Sequence, residues 1–523
     1  MNPFPHSVPV MTCAKAKVFE KEFFARGTMS EESAMKTAGA LVGRGILREC
    51  GKEKISHVIV LAGKGHNAGD AVRAAATIFS QTSCRVFIVF FADDENSLAP
   101  LTRKFLDEFS AVVPDEKRKI IFLSKKNSAA VPDAIFSFVA APHTVLIDGI
   151  FGYGFRPPFP PETKNVVEKI FAARSRDSIC AAVDLPSGLC DAGADFVVRA
   201  DLTFPTGIVK RPLVALPETA GRIVPVDLAF GLDAASAAAI FDEEFFLKRI
   251  FSPRATVCDK RDFGHVLIVG GSRAMPGALM LNTLAALRGG AGLVSVVCPE
   301  SVQPAFAARA PGAMWIPCRE NSDGGLDCTA AFFEIQKNLS RATTVLCGSG
   351  MGTSNDSQNL IRKIAASVPP ETPLVLDADA LRAETLDALK TRGAPSSKTI
   401  LLPHAGEFAR LGGNASALRE FCREHAATVA LKGSFTRVAG ASAEFFTFSG
   451  TPALARGGSG DVLAGMTAAL FASPKNFSPE CSAEERLVAA VVWHGNAARR
   501  LAAAQTERCA DIASLPNFLS ACV

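Results

Sequence analysis

A run of glycines, a serine and an acid, Gly457-Gly458-Ser459-Gly460-Asp461, leads directly into the apolar stretch Val462–Leu470. Free N–H groups at the start of a helix make an anion hole. A carboxylate beside that hole can take the proton of a substrate hydroxyl as a phosphoryl group arrives. The bland alternative is a helix N-cap aspartate behind a flexible loop; the length of the glycine string favours chemistry at Asp461. Other polar turns follow short apolar runs. Lys432-Gly433-Ser434-Phe435-Thr436 offers an ammonium and hydroxyls to nucleotide phosphates or ribose. Pro403-His404-Ala405-Gly406-Glu407, Gly348-Ser349-Gly350-Met351-Gly352 and Asp377-Ala378-Asp379-Ala380 are three more such turns.

A second group stands earlier in the chain. Gly63-Lys64-Gly65-His66-Asn67-Ala68-Gly69-Asp70 separates a strand-like run from a helix-like stretch, Ala71–Ser80. That order aims backbone amides at a phosphate. The spacing also fits the looser dinucleotide fingerprint, with Asp93 and Asp94 near the ribose position. Glycines after a strand often simply turn the chain, so the turn alone is weak. Asp148-Gly149-Ile150-Phe151-Gly152-Tyr153-Gly154-Phe155-Arg156 and Asp184-Leu185-Pro186-Ser187-Gly188 end two further runs. Either aspartate alone reads as a cap or turn former. Three polar turns at the carboxyl ends of parallel strands share one crevice, and as a set they read as a site.

The elements that must position these residues are short. His57–Ala62, Val86–Ala92, Thr144–Asp148 and Ile179–Asp184 read as buried strands, separated by stretches of helical length. The rhythm restarts after Gly264 and runs through Gly292–Pro299, Thr344–Cys347, Leu374–Asp377, Lys398–Leu402 and Thr428–Leu431. Alternation of strand and helix implies parallel sheets with right-handed crossovers. An alanine-rich piece, Asp233–Ala239, lies between the two series. The reading is α/β with two domains, residues 1–240 and 241–523.

Composition narrows the class. The chain has 523 residues, 48% of them hydrophobic and 21% charged, with a net charge of +4. Large cores are affordable, and no electrostatic case exists for nucleic acid or a membrane surface. The 14 cysteines include no Cys-x-x-Cys pair, so buried thiols in a reducing cytosol are the better reading. Met1–Lys17 holds three prolines and no sustained apolar core, unlike a signal peptide. A soluble, cytoplasmic protein is expected.

The first half, from about Ala14 to Leu232, resembles the epimerase domain of the NAD(P)H-hydrate repair enzymes. Ala34-Met35-Lys36-Thr37-Ala38-Gly39, Ala200-Asp201-Leu202-Thr203 and Lys210-Arg211-Pro212 join the strand-end motifs in that likeness. The resemblance implies a Rossmann-like three-layer sandwich that interconverts the two 6-epimers of hydrated NADH and NADPH with the help of potassium. It implies an ion held by Asn67, Asp148 and Ser187. Substrate would lie against His66, Asn67, Ala68, Gly69 and Asp70, against the loop Gly152, Tyr153, Gly154, Phe155, Arg156, Pro157 and Pro158, and against Asp184 as acid/base. The family's turn reads G-x-G-N-N-G-G-D-G. Here His66 replaces an Asn, and Ala68 and Ala71 replace glycines, so a β-carbon at Ala68 is expected to crowd a phosphate or alter the turn.

The second half, about Phe241 to Ala503, resembles the ADP- or ATP-dependent NAD(P)H-hydrate dehydratases of the ribokinase-like superfamily. Gly270-Gly271-Ser272, Pro276-Gly277-Ala278 and Ala285–Gly292 carry the likeness beside the turns above. Asp259-Lys260-Arg261, Arg382 and Thr451 depart from the family's usual residues. The resemblance implies a ribokinase-like α/β sandwich in which Ala278, Gly350, His404 and Asp461 contact the hydrated nucleotide. Lys432, Gly433, Ser434, Phe435, Thr436 and Gly460 would contact ADP or ATP, with magnesium on the phosphates. It also implies homo-oligomers. The competing expectation is a sugar or vitamin kinase whose first half binds a nucleotide without catalysis.

Overall fold

The computed structural model describes residues 6–124, 133–231 and 237–521. The part of the alanine-rich piece from Asp233 to Ser236 lies outside the described residues. The chain divides into two compact units, Met1–Phe241 and Asp242–Val523. Both are α/β, and each is described by itself.

In the first unit a seven-stranded sheet runs in the order Arg118–Phe122, Arg85–Phe90, His57–Ala62, Thr144–Gly149, Ile179–Val183, Leu202–Phe204, Arg222–Ile223. Every neighbouring pair is parallel. His57–Ala62 is buried on both faces from Val58 onward, which is why it reads as an unbroken apolar run. This strand is flanked by one successor on each side, so chain order reverses between it and Thr144–Gly149. The turns after Ala62 and Gly149 therefore open into one crevice.

A separate strand, Ser7–Met11, pairs antiparallel with Ala237–Ile240 and parallel with Val209–Lys210. This joins residues far apart in the chain and sets Met11 beside Lys210. The helix Cys13–Ala25 starts just beyond it, capped by the Thr12 side chain.

In the second unit the strands follow the order Met314–Cys318, Leu293–Pro299, His265–Val269, Thr344–Cys347, Leu374–Leu376, Thr399–Leu401, Thr428–Leu431, Thr436–Ala439, Glu444–Thr447. The pairs are parallel up to Thr428–Leu431, and the last two pairs are antiparallel. Chain order again reverses beside the first strand of the unit, here between His265–Val269 and Thr344–Cys347. The glycine turns at Gly270 and Gly348 leave the sheet at that point.

Two helix boundaries differ from the sequence reading. The helix expected over Ala71–Ser80 spans His66–Thr82. The glycine turn thus ends at Gly65, and His66–Asp70 form the first helical turn. The helix expected over Val462–Leu470 spans Ser459–Phe471 behind a left-handed Gly458, so Asp461 lies within its first turn and is not its N-cap. Both first turns are rich in Gly, Ser, Asn and Asp, whose weak helix preference reads locally as loop. No helix among the described residues is long and apolar enough to cross a membrane.

Candidate active sites

The first unit holds a cavity of about 630 Å³ at its reversal point. Its wall includes Lys64, Gly65, His66, Asn67 and Asp70 from the turn and first helical residues, and Gly152, Tyr153, Gly154, Phe155, Arg156 and Pro158 from the loop. Asp184, Thr206, Glu20 and Glu31 complete its polar lining, with Glu31 3.1 Å from His66 Nδ1.

Three expected contacts fall elsewhere. Ala68 is fully buried in the apolar core. Gly69 faces Met35, Thr102 and Phe105, where a β-carbon would come within 2.8 Å of the Met35 methyl. The first helical turn thus sends these two positions inward, and the expected crowding of a phosphate by Ala68 does not arise. Pro157 is exposed and does not line the cavity. Nor do Asp93 and Asp94; the Asp94 carboxylate instead accepts the Ser97 amide at 2.9 Å and caps a short turn.

Asp184 is buried at the carboxyl end of Ile179–Val183 with φ of 67°. An aspartate in the left-handed region is uncommon and is associated with functional positions. Its Oδ1 meets the Lys210 ammonium and lies 3.4 Å from the Thr206 amide and 3.3 Å from the Thr206 hydroxyl. Lys210 is wholly buried, so the two charges depend on each other. Asp70, on the same wall, has a buried Oδ1 with no hydrogen-bond partner. Burial, then the carboxylates of Asp184 and Glu20, push Asp70 well above the usual carboxylate range.

Asp148 and Ser187 meet beneath this wall. The Ser187 hydroxyl donates to Asp148 Oδ1 at 2.5 Å, and the Ser187 amide donates to Oδ2 at 2.7 Å. Asp148 is completely buried and has no cation partner among the described residues. Burial raises it to about 6, against the pull of the Ser187 hydroxyl and amide. Asn67 approaches from the helix start: a β-carbon on Gly152 would lie 3.5 Å from its Oδ1, and its Nδ2 is buried without a partner. Carboxylate, hydroxyl and amide oxygens with one uncompensated charge suit a hard monovalent cation.

In the second unit Asp461 is half-buried. Burial raises its carboxyl to about 6; nearby Ser349 and Lys432 pull it down, and Asp377 pushes it up. The side-chain amide of Asn282 donates to the Asp461 carbonyl at 2.7 Å and fixes that turn. The amides of Gly460 and Asp461 have no acceptor among the described residues, as expected of a helix start ready to take an anion. Gly460 stands close to both partners of an ion pair, Lys432 Nζ and Asp377 Oδ1 at 2.8 Å. Any β-carbon there would sit 3.2 Å from the ammonium.

The remaining positions divide. Gly350 (φ 66°) and Ala278 are neighbours, since a β-carbon on Gly350 would meet that of Ala278 at 3.3 Å. His404 bridges in parallel register to Lys432, and its Nδ1 accepts the amides of Gly406 and Glu407 at 3.0 and 3.2 Å. Its Nε2 lies 3.5 Å from the Glu407 carboxylate. Gly433 and Ser434 are exposed at the tip of the hairpin between Thr428–Leu431 and Thr436–Ala439. Phe435 stacks on Phe446 at 6.0 Å, so its ring is engaged in the hairpin. The sequence reading missed Asp377 as the partner of Lys432, the buried Ser349 hydroxyl beside Asp461, and Glu20. The first two lay in motifs already singled out, and strand-end placement was the available signal.

Two α/β units, each gathering polar loops at its own reversal point, define a two-site enzyme. Residues 31–212 match the family described as YjeF-related protein N-terminus, and residues 266–515 match NAD(P)H-hydrate dehydratase. The bifunctional NAD(P)H-hydrate repair enzyme of Gloeobacter violaceus is 32% identical over 518 residues, covering 94% of this chain and 93% of that protein. The enzyme of the same description from Hyperthermus butylicus is 31% identical, covering 82% and 79%. A solved ribokinase-like superfamily protein of Enterococcus faecalis aligns with 54% of this chain and 95% of its own at 23% identity, with a TM-score of 0.46. The chain belongs to the bifunctional NAD(P)H-hydrate repair enzymes.

Proposed function

We infer that the protein repairs hydrated NADH and NADPH, the first unit exchanging the two epimers and the second dehydrating the S form at the expense of ADP or ATP. The observation that carries the second activity is the half-buried Asp461 beside the unpaired amides of its helix start, with Lys432 across from it. The hydrate carries a hydroxyl next to the ring nitrogen, and hydroxide leaves poorly. Asp461 takes that proton as the oxygen attacks the terminal phosphorus, and the amides of Gly460 and Asp461 balance the charge on the moving group. The nitrogen lone pair then expels phosphate, and loss of a proton from the neighbouring carbon restores the dihydropyridine. Lys432–Thr436 and Gly460 hold the adenine nucleotide. Magnesium enters with the nucleotide, carried by phosphate oxygens and water.

In the first unit Asp184 serves as acid/base at the carbon that inverts. Asn67, Asp148 and Ser187 would hold potassium, which supplies positive charge next to the substrate. We place the enzyme in the cytoplasm, where its free thiols stay reduced, and as a homo-oligomer on family likeness.

A matrix of purified R and S epimers against ADP, ATP and no nucleotide tests the whole reading. Recovery of NADH absorbance from the S epimer with nucleotide, and from the R epimer at a rate limited by exchange, is expected. No recovered NADH, together with phosphorylation of a sugar supplied in a parallel assay, would favour the kinase alternative. A narrower test concerns the ion. Replacing potassium by a large organic cation should slow epimer exchange at least tenfold, and Asp148→Asn should abolish that dependence while dehydration of the S epimer is unaffected.

A further inference from the structure

We propose that Glu20 is a second acid–base group of epimer exchange, acting on the same ring carbon as Asp184. The inference rests on reading the first unit as the epimerase. Inverting that carbon requires a hydroxyl to leave from one face and a water to add to the other. One proton goes to the departing oxygen, and one comes from the arriving oxygen. Asp184 cannot swing between the two, because Lys210 and Thr206 hold its Oδ1 in a buried site.

Glu20 reaches the cavity from a different element. Pairing of Met11 with Lys210 sets the start of the helix Cys13–Ala25 beside the lysine. The Asp191 carboxylate accepts the amides of Cys13 and Ala14, each at 3.0 Å, and fixes its first turn. Ala16 of this helix is in the core, and Glu20 is one turn further along the same face. Glu20 lines the cavity, and its Oε2 accepts the Tyr153 hydroxyl at 2.6 Å. The Lys210 ammonium lies 5.4 Å from the Tyr153 ring centre, so Asp184 and Glu20 line the cavity on either side of the Lys210–Tyr153 contact. Asp184 has an ammonium in contact; Glu20 has no ion-pair partner among the described residues. Burial, before any other influence, pushes the Glu20 carboxyl up, while Lys210 and Tyr153 pull it back. Two carboxyl groups in unequal surroundings divide the roles of acid and base.

The step balances. The Glu20 carboxylic acid gives its proton to the ring hydroxyl, the C–O bond breaks with its electron pair on oxygen, and water leaves. The ring nitrogen lone pair forms a C=N⁺ bond. Water on the other face passes a proton to the Asp184 carboxylate as its oxygen bonds to the carbon, and the π pair returns to nitrogen. The reverse passage uses the two groups in exchanged roles.

The test uses the full chain without ADP or ATP, so that only exchange occurs. Chromatography follows conversion of R to S, in ordinary water and in water labelled with ¹⁸O, across pH. Glu31, Asp70, Tyr153, Asp184 and Lys210 face or act on Glu20, so the limb belonging to Glu20 is assigned by its loss in Glu20→Gln. That variant should lower kcat by about a hundredfold with KM little changed. Label incorporation should fall in the same proportion, and Glu20→Asp should recover part of the rate with a displaced limb. Wild-type kcat in Glu20→Gln, or a loss that leaves the pH profile unmoved and is not recovered by Glu20→Asp, overturns the assignment. Absence of exchange in the unaltered protein would instead remove the epimerase reading, and this assignment with it.

Discussion

Asp461→Asn should lower the rate of nucleotide-dependent dehydration by about 10²–10⁴, the range a positioned general base contributes, while epimer exchange continues at its normal rate. Asparagine has nearly the same shape, and the bond from Asn282 goes to the backbone carbonyl, so the helix start survives the change. Only the ability to accept a proton is lost. The pH dependence of the unaltered enzyme follows from the same group. A carboxyl raised to about 6 is ionised above that pH and protonated below it. Hence kcat/KM for dehydration should be level near neutrality and fall tenfold per pH unit below about 6. The single-turnover rate with S epimer and nucleotide, measured from pH 5 to 8, checks both points. A limb near 4 would mean that Asp461 is better solvated in the working enzyme than the structure shows.

Asp184→Ala should abolish epimer exchange by a similar factor and should also weaken the fold. Lys210 is completely buried and its ammonium sits on the Asp184 carboxylate. Removing one member of such a pair leaves an uncompensated charge, at a cost of about 3–5 kcal/mol. Lys210→Met combined with Asp184→Ala should return most of the stability and none of the exchange. Denaturant melts of the three variants, set beside chromatographic exchange rates, separate the contribution to folding from the contribution to catalysis. Equal stability of Asp184→Ala and the unaltered chain would show that the lysine finds water or another partner when its carboxylate is gone.

The central strands were legible because they are buried on both faces and stand out as apolar runs; the edge strands Arg118–Phe122 and Met314–Cys318, which are partly exposed, were not. Thr344–Cys347 and its neighbours needed no long-range information; a strand such as Thr428–Leu431 is bounded by its own sequence. The strand-end loops were legible for the same reason, since parallel topology sends all carboxyl ends to one side. Helix starts were harder. His66–Asp70 and Ser459–Asp461 hold residues that prefer turns, and only the packing of the following helix makes them helical. Glu20 was not legible at all. It lies among Lys17, Lys21 and Glu22 on a short helix, and nothing local marks which of these acids and bases faces inward. That choice is made by pairing between Met11 and Lys210, residues nearly two hundred positions apart. The Asp377–Lys432 pair is of the same kind: each motif was visible, their contact was not.

The pairing of Ser7 with Ile240 has a consequence for engineering. Adjacent strands lie about 4.8 Å apart, so a linker of a few residues could splice one to the other and seal the unit into a ring. New ends could then be cut in an exposed surface turn, yielding a circular permutant with an undisturbed cavity. Two strands paired in space but more than two hundred residues apart in sequence offer one site for such a splice.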